Sequence, residues 1–431
     1  MVDFFRILDS ERHIAFCPMN FVADTYRGCP HACWYCYAPA TRRRGFQESF
    51  NDFRRFERRL SDIDIERIGI ALEGRDVGSV SASKQEKFVR KALERKHPLR
   101  IGSVSDPFGL PLEKDYQHTY RIMQKLAEHD YPYVVCTKSP LVASQKYIDL
   151  LKSTKKAAVQ ISLISIDNNL LQYLESRPDG RTPPASARLE ALRKLADEGV
   201  WTTCRIQPMV PRVTEMGMKD LVFALAEAGV NHVIVEFLWF PQSHARNMSA
   251  KLKETLDAYC QAGGKVHDDL RRYNNDLYAF YKSFQDSVFA GQRLFFSKRE
   301  KARLMPQFAE MVSAANKEFG CNMTFGSGDE ETQYLNFTDN CCGLDRLPGY
   351  SGYSTCAIQT MLKIAKQKGK VTLAEIKRHY NPDMDKFEEV WKKKGKGGRY
   401  FIEDRVFKLK ANPTADPSKV EYVYDEAALP S

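Results

Sequence analysis

Short apolar runs rich in Val, Ile and Thr recur from about residue 100 to about residue 240, and all but the last are followed by a stretch with apolar positions at helical spacing. The runs Leu99 to Val104, Tyr133 to Thr137, Ala158 to Ser165, Trp201 to Gln207 and His232 to Phe237 predict strands. The stretches Tyr116 to His129, Gln145 to Ser153, Ala187 to Glu198 and Lys219 to Ala228 predict helices, with Leu189, Leu192 and Leu195 marking one buried face. Gly199 and Gly229 stand where two of these helices should stop. A β/α unit repeated every ~25 to 40 residues predicts a parallel sheet, as a barrel or a doubly wound sheet, with the site at the strand ends.

After Phe240 the pattern turns to polar helical sequence as far as about residue 318, including Ala250 to Arg272 and Asn274 to Val288, without further clear alternation. Residues 321–356 are rich in Gly, Cys and Asn, and 357–431 read as helix, helix and then strands around Gly397 and Gly398. Three units follow from this: 1–245, a helical and Cys-containing extension at 246–356, and a small basic α+β module at 357–431 of winged-helix-like order.

With 43% apolar and 28% charged residues the 431-residue chain reads as a globular protein with a sizeable core. No run of 18 apolar residues predicts a membrane span, and the acid-containing start fits neither a secretory signal nor a transit peptide, so a cytoplasmic location is expected. Formal net charge is +10, and residues 363–399 alone hold 12 Lys or Arg against 5 Asp or Glu. That balance suits an anionic partner such as nucleic acid; a solvated helical face is the alternative.

Three of the 11 cysteines, Cys29, Cys33 and Cys36, fall within eight residues. Spaced by four and three, they can reach one inorganic cluster from one loop. Three thiolates on a four-iron cluster leave one iron open for chemistry, much as a catalytic zinc keeps an open position. A structural zinc with His31 as fourth ligand is the competing reading.

This spacing, with an aromatic Tyr35 before the third Cys, resembles the radical S-adenosylmethionine superfamily. The resemblance implies a partial (β/α)6 TIM-like barrel with a mostly helical C-terminal extension. It also implies a [4Fe-4S] cluster on Cys29, Cys33 and Cys36, S-adenosylmethionine on the open iron, and an electron donor such as flavodoxin or ferredoxin. Reductive cleavage of the cofactor then yields a radical that takes a hydrogen from substrate.

Further pieces recur in order: Tyr26-Arg-Gly-Cys29, Val104 to Phe108 ahead of Pro111-Leu-Glu113, Thr137-Lys-Ser139, Ile161-Ser162, Leu174-Glu175 to Glu190, and Pro208 to Pro211. They resemble the spore photoproduct lyase-related, DNA-repair-photolyase-like branch over residues 14–245. By that resemblance Tyr35, Ser105, Asp106, Lys138, Ser139, Ser162 and Arg188 are expected to bind the cofactor. A helix cap is the alternative for Asp106, and a helix-surface arginine the alternative for Arg188. The lyase carries a hydrogen-donor Cys just before the serine matched by Ser162; here that place holds Ile161.

Cys321, Cys341, Cys342 and Cys356 form a second set that would serve an auxiliary Fe-S cluster or zinc, with buried thiols or a radical relay as alternatives. Cys17, Cys136, Cys204 and Cys260 read as structural. The leading expectation is a radical enzyme acting on a nucleic-acid base or nucleotide, by modification, rearrangement or lyase-type repair of a pyrimidine in DNA. A peptide or small-metabolite substrate is the second reading, and a non-catalytic Fe-S nucleic-acid-binding protein the third.

Overall fold

The computed structural model describes residues 4–428 apart from 9–14, 18, 32, 42–45, 75–83, 176–181, 288, 291, 349, 351–356, 380–383, 396–397 and 414–418. Its main sheet has eight strands in chain order: β1 Phe5–Ile7, β2 Phe21–Ala23, β3 Leu99–Ile101, β4 Tyr133–Thr137, β5 Ala157–Ser162, β6 Trp201–Met209, β7 His232–Phe237 and β8 Thr324–Ser327. β1 runs antiparallel to β2, and every later pairing is parallel. Helices α1 His118–Glu128, α2 Gln145–Lys152, α3 Asn168–Glu175, α4 Ala185–Asp197 and α5 Met218–Glu227 fill the crossovers. This is the α/β architecture of a partial TIM-like barrel.

All five expected strands are present, and β3 and β5 end before the expected Val104 and Ser165. The cause at β3 is the buried Asp24, whose Oδ1 accepts Val104 N at 2.8 Å and Ser105 N at 3.0 Å and draws the chain out of the ladder. The alternation continues past Phe240, contrary to the sequence reading. Helix α6, Lys298–Phe319, leads into β8, which pairs with β7, so the sheet takes a strand from the expected extension. The long excursion over residues 238–297, between β7 and α6, hides that unit from periodicity.

The sheet's two faces have separate cores. Ile101, Val135, Val159, Ile161, Cys204, Ile206, Val233 and Val235 bury against the helices in one large cluster. On the inner face Val134, Ala158 and Ile234 meet Met19, Cys342, Leu344 and Tyr350. Tyr350 OH donates to Tyr133 O at 2.6 Å, at the N-terminal end of β4, so the segment around 338–350 plugs the bottom of the barrel. The C-terminal strand ends are left for chemistry.

The C-terminal residues build a third core around Trp391 and Tyr422, joined by Phe16 from the N-terminal segment. The order is α7 Ala357–Lys368, β9 Lys370–Val371, α8 Leu373–His379, α9 Met384–Lys392, α10 Phe401–Arg405, β10 Leu409–Asn412 and β11 Glu421–Tyr424, with sheet order β9-β11-β10, all antiparallel. Among the described residues no helix is long and apolar enough to cross a membrane.

Candidate active site

The cysteine loop leaves β2 and is fixed by the backbone. Cys29 N donates to Phe53 O at 2.9 Å, and Trp34 N donates to Leu174 O at 3.0 Å. Gly28 makes the first contact feasible: its φ is +74°, and a Cβ there would lie 2.2 Å from Arg55 O. Glu113, fully buried, holds the opposite flank by accepting from Tyr26 at 2.5 Å and Tyr147 at 2.6 Å while capping α1 at Thr119 N and Tyr120 N.

Cys33 is buried, and Cys29 and Cys36 are half-buried. Each of Cys29 and Cys33 lies within electrostatic reach of Cys36. Among the described residues no three Cys, His, Asp or Glu side chains converge as they would around one ion. A structural zinc needs that convergence, whereas a cluster takes each thiolate on a separate iron. His31 Nε2 is bonded to Asp106 Oδ2 at 2.8 Å, while its Nδ1 is buried without a partner.

Beside the loop the expected cofactor residues form a network with one another. Lys138 Nζ donates to Glu175 Oε1 at 2.8 Å and to Tyr35 OH at 3.1 Å. Tyr35 OH also donates to Glu175 Oε1. Arg188 Nη2 donates to Glu175 Oε2 at 2.5 Å and its Nη1 to Ser162 O at 2.9 Å. Arg188 occupies the inward stripe of α4 with Ala185, Leu192 and Leu195, so it is no surface arginine. Burial works to raise the Glu175 carboxyl, but Arg188 and Lys138 outweigh it and hold it at about 2.

Asp106 caps no helix, since the next one begins at Leu112; it closes a turn and ties the loop to the end of β4. Its oxygens accept from Phe108 N at 2.9 Å, Lys138 N at 2.7 Å, His31 and Thr137 Oγ1, which fills the lone pairs of a carboxylate. Burial opposes its charge, and His31 with these donors overcomes that and keeps the carboxyl below its ordinary range. Ser105 Oγ donates to Gly28 O, and Ser139 Oγ accepts Leu141 N at 3.3 Å. These three groups position the loop and strand ends. Ser162 ends β5 on the inner face, in line with Gln160.

The second cysteine set does not assemble as expected among the described residues. Cys321 follows α6 and bonds Asn316 Oδ1 at 3.1 Å, in the helix-facing core. Cys341 and Cys342 are on the inner face, their sulfurs 4.0 Å apart. Cys356 lies outside the described residues. Two cysteines read as structural face the lumen instead: Arg100 Nη2 is 4.0 Å from Cys17 Sγ and 3.5 Å from Cys342 Sγ, and Arg205 Nη1 is 3.3 Å from Cys136 Sγ. Inner-face register was the only sequence signal for Cys136. Ile161 faces the helices with 0% exposure, so its identity does not by itself decide a lumenal hydrogen donor.

Comparison with known proteins fits this geometry. Residues 24–225 match the model of the Radical SAM superfamily. An uncharacterized protein of Acidianus two-tailed virus is 27% identical over 53% of this chain and 69% of its own length. An uncharacterized protein of Mycobacterium bovis is 25% identical over 53% of this chain and 61% of its own. The chain thus spans under two thirds of the mycobacterial relative. A Radical SAM Nalpha-GlyT isomerase of Pseudomonas phage M6 is 29% identical over 38% of this chain and 34% of its own length. Among solved structures, a spore photoproduct lyase variant with bound AdoMet and dinucleoside spore photoproduct has a TM-score of 0.45 at 14% identity, over 73% of this chain and 79% of that one.

The residues present fit the implied cofactors. Three thiols share one loop at the C-terminal strand ends, and Thr25 Oγ1, His31 Nδ1, Arg188 Nε and Gln207 Oε1 are buried without partners, polar groups that a bound molecule would satisfy. Cys29, Cys33 and Cys36 would hold the cluster, which supplies the electron that cleaves S-adenosylmethionine. Residues 24–225 form a radical SAM domain, with a [4Fe-4S] cluster and S-adenosylmethionine as its cofactors, within the Radical SAM superfamily.

Proposed function

We propose that this radical SAM enzyme abstracts a hydrogen from a nucleic-acid base or nucleotide, with a pyrimidine in DNA as the favoured substrate. The observation that carries the nucleic-acid part is the C-terminal module, whose helix-strand-helix-helix-helix-strand-strand order resembles a winged helix with one short added helix and which holds a dense basic run. The phage relative named as a Nalpha-GlyT isomerase supports a rearrangement or modification over simple binding. Ion pairs of Lys363 with Asp339, Lys368 with Glu375, Lys370 with Glu421 and Lys377 with Glu388 temper the basic run. Lys392, Lys393 and Lys394, at and beyond the end of α9, are exposed and would meet phosphate.

In this reading Ser162, on the inner face at the end of β5, contacts the cofactor, while Tyr35, Lys138, Glu175 and Arg188 orient the loop and exclude water beneath it. Ser105, Asp106 and Ser139 hold the backbone around them. An external electron donor such as flavodoxin or ferredoxin supplies the reducing equivalent.

The test is anaerobic reconstitution followed by mass spectrometry of deuterated DNA and nucleotide substrates. Deuterium should enter 5′-deoxyadenosine from a base or sugar position, and Cys33→Ala should abolish deoxyadenosine formation. Label transfer only from a peptide would move the substrate to the second reading. Activity retained by Cys33→Ala would end the cluster assignment.

A further inference from the structure

Below the cysteine loop and above the plug, the barrel interior holds two guanidinium groups. Arg100 on β3 and Arg205 on β6 both project from the inner face, since Arg100 is registered with Val134 and Arg205 with Ser162 and Ile234. Both are half-buried. Neither has an ion pair with a carboxylate among the described residues. Arg205 Nη1 meets Gln160 Oε1 at 3.2 Å and Cys136 Sγ at 3.3 Å; Arg100 Nη2 meets the sulfurs of Cys342 and Cys17, and its Nε is buried with no partner. Glu236, the inner-face carboxylate at the end of β7, is bonded to Gln207 Nε2 at 2.6 Å instead.

A buried cation is expensive unless an anion or a set of good acceptors answers it, and sulfur is a weak acceptor. Cys342 gives part of the answer. Its sulfur lies 3.5 Å from Arg100 Nη2, a weak acceptor for a guanidinium. Two guanidinium groups therefore face sulfur and amide acceptors, with no carboxylate paired to either among the described residues. The layer also lies beneath the cofactor side of the barrel: Tyr37, the residue after Cys36, is within electrostatic reach of Cys36, Arg205 and Arg100 together.

We propose that Arg100 and Arg205 bind an anionic oxygen group of the substrate, a phosphate or a carboxylate, inside the barrel. The planar forks of two arginines on β3 and β6 are matched to such a group, and its charge would answer guanidinium groups that have no carboxylate partner among the described residues. The inference rests on the radical reading above and narrows its substrate: the reacting molecule enters the lumen with its anionic end toward the plug. For a nucleotide, that end is the phosphate.

The test measures binding to the anaerobically reconstituted full chain with S-adenosylmethionine present, by titration calorimetry. The probes are thymidine 5′-monophosphate, thymidine, and N-acetylglycine with its neutral amide. At least one anionic probe should bind tenfold or more tighter than its neutral counterpart, and Arg205→Gln or Arg100→Gln should cut that preference to under twofold. Arg205→Lys should recover part of it. If the glutamine variants fail to take up the cluster, competition on the wild-type protein decides: inorganic phosphate should displace the monophosphate. A preference carried only by N-acetylglycine keeps the anion site and overturns the nucleotide reading. No anionic preference, or one that survives both glutamine substitutions, overturns the proposal, while label transfer into deoxyadenosine would leave the radical reading standing.

Discussion

Arg188 and Glu175 form an ion pair, Nη2 to Oε2 at 2.5 Å, with side chains 0% and 1% exposed. A pair this deep is costly to break, since removal of one partner leaves the other charged and unanswered. Lys138 on the second carboxylate oxygen doubles the dependence on Glu175.

Glu175→Gln should therefore lose about 3 to 5 kcal/mol of stability in urea unfolding at pH 7. The pH dependence has a definite sign. The folded carboxyl at about 2 lies below its ordinary 4.5, so its stabilisation is complete above about 4.5 and is lost as pH falls through about 2. The gap between wild type and Glu175→Gln should hold down to about pH 5 and narrow below it. A gap constant to pH 2 would contradict the assignment.

Gly28→Ala forces a left-handed φ on a residue with a side chain and drives Cβ to 2.2 Å from Arg55 O. The loop must move off Phe53 and Arg55, at a cost of about 1 to 3 kcal/mol or more. Iron content per chain after reconstitution should fall well below wild type while the far-UV spectrum persists. Full iron loading in the variant would show that the loop does not need this turn.

His232 is buried at the start of β7 and bonded on both nitrogens, to Thr324 Oγ1 at 2.8 Å and Cys341 O at 2.9 Å. Burial pushes its imidazole down to about 4 from an ordinary 6.5. Its neutral form thus adds stability that is present above about 6.5 and is lost as pH falls to about 4, of order 3 kcal/mol in all. In His232→Gln the slope of stability between pH 6.5 and 4 should flatten. An unchanged slope would assign the acid sensitivity elsewhere.

Lys393 Nζ and Lys394 Nζ lie over the rings of Phe401 and Tyr400, at 5.6 and 5.1 Å, and both residues, like Lys392, are exposed. Changing all three to Gln should weaken DNA binding and flatten the dependence of log affinity on log salt by about 0.9 for each phosphate the variant no longer neutralises. Equal affinity and slope in the triple variant would make the run a solvated face.

Each of these side chains was plain by type in the sequence, while its surroundings were not. Local features were legible in the chain alone: the Cys29, Cys33 and Cys36 loop, five strands from Leu99 to Phe237, the helices between them and the helices followed by strands at the C-terminus. These depend on spacing, hydrophobic period and turn residues within a few positions of one another. The remaining relations needed the folded chain. β8 became visible once Thr324–Ser327 lay beside β7, with Thr324 in register with His232, 92 residues earlier. Arg188 turned inward because Glu175 and Ser162 O await it there, and Asp106 ties loop to strand end because His31, Thr137 and Lys138 converge on it. Cys136 and Cys342, far apart in the chain, line one lumen with Arg100 and Arg205. Such relations depend on which face of the sheet a residue takes and which distant loop closes over it, and a single residue's slip in register would reverse that face.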